Sequence, residues 1–345
     1  MRLAEIAQEA NVSPATVSRV INSPELVSDE RRKQVQDVLK RFNYQPAPKE
    51  RRRGPKRSVR TSRRIGVWFV GAKKSPSLNW FQDQIGQIRS AHDHNQIDLR
   101  VLFSETAAEV PVAVQKGELD GVIIQGMEPS ATCLQAIGDL PYVWFMTRRT
   151  LAFPGDYVEP NNWENGRMAA DYLESRGHAT AAIIATDPDY SAMHQRIQAF
   201  LQRAGELGMK AVAIHRPIGS GPGYLNPSPL PEELDELFSR FAGLEARPSG
   251  VYLPSDHFCG SFFRSMRHRG LEPAKDFEVV LGNFTDVVYQ NLDPLPAAID
   301  VNLSTLVSTV LRHLLWRIDN RGAPGRVGIS ISPTLVLPGR VPLSS

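Results

Sequence analysis

The sequence predicts a small all-α helix-turn-helix head followed by a larger α/β body of two lobes, each a doubly wound parallel sheet. Three observations carry that prediction. Apolar residues recur at helical spacing through the first 46 residues. From Ile65 onward short apolar runs alternate with amphipathic stretches. A segment rich in proline and arginine separates the two regimes. The resulting division is 1–46 for the head, 47–64 for a basic linker and 65–345 for the two-lobed body. A chain of 345 residues, 41% hydrophobic and 22% charged, has the length for two or three ordinary globular domains.

In the head, Leu3, Ile6, Ala7 and Ala10 share one helical face, and Asn11 is a natural stop. Ser13 then suits an N-cap, with Pro14 at the first helical position, where a missing N–H costs nothing. Val17, Val20 and Ile21 form the inward face of this second helix, while Ala15, Thr16, Ser18, Arg19 and Asn22 point outward. Ser28 can cap a third helix that starts with Asp29 and Glu30 and carries Val35, Val38, Leu39 and Phe42 as its apolar stripe. Two helices joined by a tight turn, with a third bracing them, make a helix-turn-helix unit. There the second helix enters the DNA major groove by its first residues. Pro14 and Ala15 are small enough for close approach, Ala15 can touch a thymine methyl, and Arg19 can read guanine or clamp a phosphate. Periodicity alone also fits any small helical bundle with a solvated polar face.

Charge separates these readings. Residues 1–64 hold sixteen Lys and Arg against seven Asp and Glu, whereas the rest of the chain holds 24 against 30. A basic head on a mildly acidic body is the layout of a chain that meets a polyanion at one end.

The strings LAEIAQEANVSPATVSRVIN and VSDERRKQVQDVLKRFNYQP closely resemble the amino-terminal domain of the lactose/galactose repressor family, nearly without a gap. The resemblance implies Pro14, Ala15 and Arg19 as base readers and Ser13, Thr16, Ser18, Asn22 and Ser28 as phosphate partners. Beyond it the linker departs from the family. Where relatives have an Asn and, further on, the Leu of a short hinge helix, this chain has Ala47 and Arg53. Pro46, Pro48, Gly54 and Pro55 oppose helix, and nine basic residues face the single Glu50 between Pro46 and Arg64. Arg51, Arg52 and Arg53 either lie along phosphates or in a narrow minor groove, or belong to a plain solvated tether.

In the body, IGVWFV, LRVLF, DGVIIQG, YVWFM, AAIIAT, GVYLPSD and EVVLGN read as buried parallel strands. Phe81–His94, Ala107–Gln115, Asn165–Arg176, Met193–Leu207 and Phe258–His268 read as helices between them. This part resembles the family's effector domain, itself similar to two-lobed periplasmic sugar-binding proteins. The correspondence runs through DGVII, NNWENGRMAADYLESRGH, the arginine of SAMHQRIQAF, PSGVYLPSDHF and SPTLVLPGR.

Such a fold binds a small molecule between its lobes, at the carboxyl ends of the strands. Ser77, Asn79, Trp80, Arg148, Arg196, Asp256 and Asn283 fall there. Their carboxylate, amide and guanidinium groups suit the hydroxyls of a sugar or nucleoside. Trp80 either stacks on a sugar face or fills the core, and Arg148 either faces the ligand or pairs with a carboxylate. Thr147-Arg148 stands where relatives have Asp-Arg, and NFTD where many have FDD, so the ligand's identity stays open.

Catalysis finds no support. GSGPG at Gly219–Gly223 precedes a proline-rich tract rather than a helix N-terminus, His92 and His94 point to different helical faces, and His178 suits a turn. Cys133 and Cys259 lie far apart without metal spacing and read as buried small hydrophobes, so neither a metal nor a cofactor is expected. The first residues carry Glu5, Glu9 and Arg19 where a signal peptide would be apolar, and no run of about 18 apolar residues occurs, so a cytoplasmic location without membrane contact is expected. A sugar-transport component would need export and have no use for Leu3–Tyr44, and a dinucleotide enzyme would need a glycine fingerprint that GAKKSPSLNW lacks. The expectation is a regulator, a repressor by resemblance, acting as a homodimer on a near-palindromic double-stranded operator under control of a carbohydrate-like effector.

Overall fold

The computed structural model describes residues 3–22, 24, 27–42, 62–71, 86, 97–146, 154–218 and 231–338. The chain forms two compact units, Met1–Thr61 and Ser62–Ser345. Among the sequence readings, Ser77, Asn79, Trp80, Arg148, Arg51–Arg53, His92, His94, GSGPG and all of the Phe81–His94 helix except Gly86 lie outside the described residues.

The first unit holds α1 (Leu3–Glu9), α2 (Pro14–Asn22) and α3 (Asp29–Arg41) around a core of Ile6, Ala7, Ala10, Val17, Val20, Val35 and Val38. The α1–α2 turn follows from one residue. Asn11 takes a φ of 50°, a left-handed conformation that asparagine tolerates better than most residues, and the chain reverses there. Asn11 N–H donates to the Gln8 carbonyl and Val12 N–H to the Ala7 carbonyl, the paired bonds that close a Schellman helix end. Phe42, expected in the apolar stripe of α3, is 41% exposed, because the helix has ended and the Arg41 guanidinium sits over its ring.

The second unit is two sheets. In the first lobe β1 (Arg63–Val70), β2 (Ile97–Ser104), β3 (Gly121–Gly126), β4 (Tyr142–Phe145), β5 (Asp156–Pro160) and β11 (Gly328–Ile331) lie in the order 2-1-3-4-5-11, all pairs parallel. In the second, β6 (Thr180–Ala185), β7 (Lys210–His215), β8 (Gly250–Leu253), β9 (Glu278–Leu281), β10 (Ala297–Asp300) and β12 (Thr334–Val336) lie in the order 7-6-8-9-10-12. Only the β10–β12 pair of that sheet is antiparallel. The helices are α4 (Val112–Gln115), α5 (Ala131–Ile137), α6 (Asn162–Ser175), α7 (Ser191–Glu206), α8 (Pro231–Ala242), α9 (Cys259–His268), α10 (Asp286–Tyr289) and α11 (Leu303–Asp319).

Several boundaries differ from expectation for local reasons. The helix expected over Ala107–Gln115 is confined to α4, since Pro111 bars the preceding residue from helical geometry. The α6 helix starts three residues before Asn165, because the Asn161 side chain accepts from Glu164 N–H and donates back to its carboxylate. GVYLPSD is a strand only to Leu253, where Pro254 removes the next ladder donor. Among the described residues no helix is long and apolar enough to cross a membrane, and no cluster of His, Cys, Asp and Glu can hold a metal ion.

Candidate functional site

Helix α2 presents one polar face. Val17 and Val20 are buried, whereas Ser13, Pro14, Ala15 and Arg19 are exposed. Ser13 Oγ accepts from the Thr16 backbone N–H at 3.1 Å and lies 2.9 Å from Thr16 Oγ1, so the cap read from the sequence forms as the amino-terminal turn of this helix. The turn leaves the small side chains of Pro14 and Ala15 at the tip, with Arg19 one helical turn further on. Ser18 is half-buried on the same helix, and Asn22 is its last residue. Ser28 holds the cap position of α3 but its hydroxyl makes no capping bond there.

In the body all parallel strands of a lobe end on the same side, and a cavity of about 160 Å³ opens among those ends. Met146, Glu159 and Pro160 line it from the ends of β4 and β5. Asn162, Tyr190, Met193, Arg196, Ser255 and Asn283 line it from the second lobe. Tyr190 O–H donates to the Met146 carbonyl at 3.2 Å, a bond from one lobe to the other beside the cavity.

Arg196, expected among the effector residues, lines the cavity and is held by a network of protein acceptors. It is only 4% exposed. Its Nε donates to Asn162 Oδ1 at 2.9 Å, and Nη1 reaches the carbonyls of Pro254 (2.5 Å) and Gly282 (3.1 Å) and Asn283 Oδ1 (3.0 Å). The guanidinium thus ties together the start of α6 and the ends of β8 and β9. Beneath it, Tyr252 O–H donates to Asn165 Oδ1 and Asn165 Nδ2 to the Gly282 carbonyl. Gly166 allows this geometry: a Cβ there would lie 2.4 Å from the Arg196 carbonyl oxygen.

Among the described residues, two buried acceptors have no hydrogen-bond partner. Asp256 Oδ2 follows β8 in the second lobe, and Gln125 Oε1 closes β3 in the first. Asp256 is 5% exposed and Gln125 3%, and an unmet buried acceptor costs on the order of 1–3 kcal/mol. Gln125 lies near the carboxyl end of β3 and Asp256 three residues past that of β8, and neither lines the cavity. Ser255 Oγ, on the cavity wall, lies 2.6 Å from His257 Nδ1. Burial pushes the Cys259 thiol up, with the Asp256 charge adding to it, so this cysteine is an inert core residue.

Of the expected effector residues, the structure brings Arg196 and Asn283 into direct contact and puts Asp256 in the same strand-end loop as Ser255. Sequence reading missed Gln125, Met146, Glu159, Asn162 and Tyr190. Gln125 carried a usable signal, a lone amide closing the apolar run GVII. Met146 carried none, because a φ of 48° is not written in a methionine.

Residues 2–47 match the family described as bacterial regulatory proteins, lacI family, and residues 170–337 match a periplasmic binding protein-like domain. The HTH-type transcriptional repressor PurR of Mannheimia succiniciproducens is 25% identical over 341 residues, covering 96% of each chain. The ribose operon repressor of Haemophilus influenzae is 24% identical over 350 residues, again covering 96% of each. Among solved structures, the transcriptional regulator CelR–cellobiose complex superposes with a TM-score of 0.60 at 20% identity, covering 98% of this chain and 99% of that one. The lac repressor dimer bound to operator and the anti-inducer ONPF gives 0.61 at 19% identity, covering 98% of both. A helix-turn-helix head and a two-lobed pocketed body define a class, the DNA-binding transcription regulators that carry an effector domain. Within that class, residues 2–47 match the lacI family of bacterial regulatory proteins, and the relatives named above are repressors and regulators rather than enzymes.

Proposed function

We propose that the chain is a transcriptional repressor that binds a near-palindromic operator as a homodimer and answers to a small polyhydroxylated effector, a sugar, held between its lobes. One observation carries the DNA half: α2 buries Val17 and Val20 while Pro14, Ala15 and Arg19 stand exposed at its leading end. Pro14, Ala15 and Arg19 read base edges; Ser13, Thr16, Ser18, Asn22 and Ser28 meet phosphates, and Arg51, Arg52 and Arg53 add a salt-sensitive grip. The acidic balance of the body keeps contact with DNA to the head and linker.

For the effector, the reading is supported by the two orphaned acceptors, Asp256 Oδ2 and Gln125 Oε1, which call for hydroxyl or amide donors. Asn283, Ser255 and Arg196 complete the set in the second lobe, and Ser77, Asn79, Trp80 and Arg148 belong to the first-lobe side. A cavity of about 160 Å³ is below the ~300–1,000 Å³ of drug-sized sites, which suits a ligand of one ring. Complexes of similar proteins with cellobiose and D-xylulofuranose agree with a carbohydrate ligand. Effector binding changes lobe closure and couples to operator affinity by ~1–3 kcal/mol.

The test is a thermal-shift screen of sugars and nucleosides on the full-length protein, followed by operator footprinting with and without each hit. Asp256→Asn keeps the shape of the site and should weaken the hit at least tenfold. No hit in either class, or an Asp256→Asn protein that binds as well as the parent, would discard the pocket. Arg19→Ala should weaken operator binding while leaving effector binding unchanged.

A further inference from the structure

Among the described residues the chain passes between the lobes three times, at residues 160–162, 300–303 and 331–334. The strands that feed these passages, β5 and β11 in one sheet and β10 and β12 in the other, lie toward one edge of each sheet. The opposite edges are β2 and β7. Any change of angle between lobes therefore pivots on the first edge and moves β2 and β7 most.

The passages are stitched to one another. Asn161 N–H donates to the Ile331 carbonyl at 2.8 Å, linking the first to the third. Asn302 links the second to the third. Its Nδ2 donates to the Ser332 carbonyl at 2.8 Å and to Thr334 Oγ1 at 3.2 Å, and its backbone N–H donates to Asp300 Oδ1 at 2.8 Å.

Asn302 is also the cap residue of α11, whose Leu306, Val307, Val310, Leu311 and Leu314 fill the first lobe's core. A cap asparagine ordinarily turns its side chain onto the helix's own N–H groups. This one makes no such bond and holds a φ of 58° and ψ of 54°, the left-handed region. The side chain that would finish the helix is spent across the hinge, in a backbone conformation that only Asn, Asp and Gly adopt readily. A helix embedded in one lobe is thereby fastened, at its cap, to the strand β12 of the other.

We propose that Asn302 is the positioning residue that sets the resting angle between the lobes, and so the fraction of molecules in the arrangement the effector recognises. Nδ2 is the functional group, because it joins two passages through a side chain that no core contact requires. Losing it leaves both lobe cores untouched but frees the pivot. The consequence for regulation rests on the cleft being the effector site, whereas the angle itself can be measured with no effector present.

The experiment uses full-length protein with spin labels on Glu105→Cys, after β2, and Ile218→Cys, after β7, diluted with unlabelled protein so that one pair is read per assembly. The native cysteines, Cys133 and Cys259, are buried and stay unlabelled. Pulsed electron resonance then gives the inter-lobe distance distribution for the parent, Asn302→Asp and Asn302→Gly. Both substitutions tolerate the left-handed backbone and remove the Nδ2 donors. The expected result is a broader distribution with the ratio of its populations changed about fivefold, the weight of one net hydrogen bond, at a melting midpoint near that of the parent. Distributions that superimpose on the parent's in both variants would overturn the proposal. Should either variant not fold, Thr334→Val removes one of the two Nδ2 acceptors and leaves the Ser332 carbonyl; a smaller broadening there supports the proposal and an unchanged distribution overturns it. If the proposal stands while the thermal-shift screen finds no ligand, the hinge survives and the effector reading fails.

Discussion

Gly166→Ala tests whether the Arg196 network depends on the close contact of α6 and α7. Gly166 is fully enclosed, and an added Cβ would lie 2.4 Å from the Arg196 carbonyl oxygen, 2.9 Å from Ala199 Cβ and 3.0 Å from Phe200 N. Two of these neighbours are backbone atoms of α7, so no rotamer change relieves the overlap. Ordinary contact begins near 3.4 Å, and the helices must part by about 1 Å locally. Overpacking of this kind costs up to about 3 kcal/mol, and the better helix propensity of alanine returns about 1 kcal/mol. The net is a loss of about 2 kcal/mol, or roughly 4–8 °C in the Tm of a unit this large. Since Arg196 rides on α7, its bonds to Asn162, Pro254 and Gly282 stretch with the helix, so effector affinity falls together with stability. Circular dichroism melting and calorimetric titration of a screened ligand read both effects. A Gly166→Ala protein that melts at or above the parent temperature and binds normally would refute the close-contact account of the site.

Four other outcomes follow, three from the geometry and one from the sequence of the linker. Ser13→Ala removes the cap of α2 and should cost the head about 1 kcal/mol, seen as faster amide exchange at Thr16 and Val17; unchanged protection there would count against the cap. Tyr190→Phe deletes its O–H bond to the Met146 carbonyl and should change effector affinity without lowering Tm appreciably, as measured by titration and melting side by side. Burial alone would raise the Asp156 carboxyl, but the Val327 N–H, His313 and Arg317 outweigh it and hold the carboxyl below its usual range. Its stabilisation is therefore present above the ordinary carboxylate pKa and is lost as pH falls through the depressed folded value, so urea melts should weaken below about pH 4, less steeply in Asp156→Asn. Replacing Arg51, Arg52 and Arg53 with alanine should flatten the salt dependence of operator binding, and an unchanged slope would mark the linker as a passive tether.

The head was legible from its sequence because its structure is local. Asn11, Ser13 and Pro14 each act within four residues of themselves, and Val17 and Val20 declare the buried face by spacing alone. The strands of the body were legible for a similar reason, since each is a short apolar run broken by polar or turn residues. Boundaries failed where a single neighbour intervened, Pro111 before α4 and Asn161 before α6.

The site is another matter. Its residues come from segments more than a hundred positions apart, and periodicity says nothing about which of them meet. Arg196 was readable as important, yet only the fold shows that its Nε and Nη1 are turned onto Asn162, Pro254, Gly282 and Asn283. Asn302 gave no sign of joining two lobe crossings, because its partners Ser332 and Thr334 lie thirty residues on. The order of residues by itself determined the helices, strands and charge layout, which arise from interactions between near neighbours. The tertiary structure decided which polar groups find partners and which, like Asp256 Oδ2 and Gln125 Oε1, find none among the described residues, since that depends on how separate elements pack.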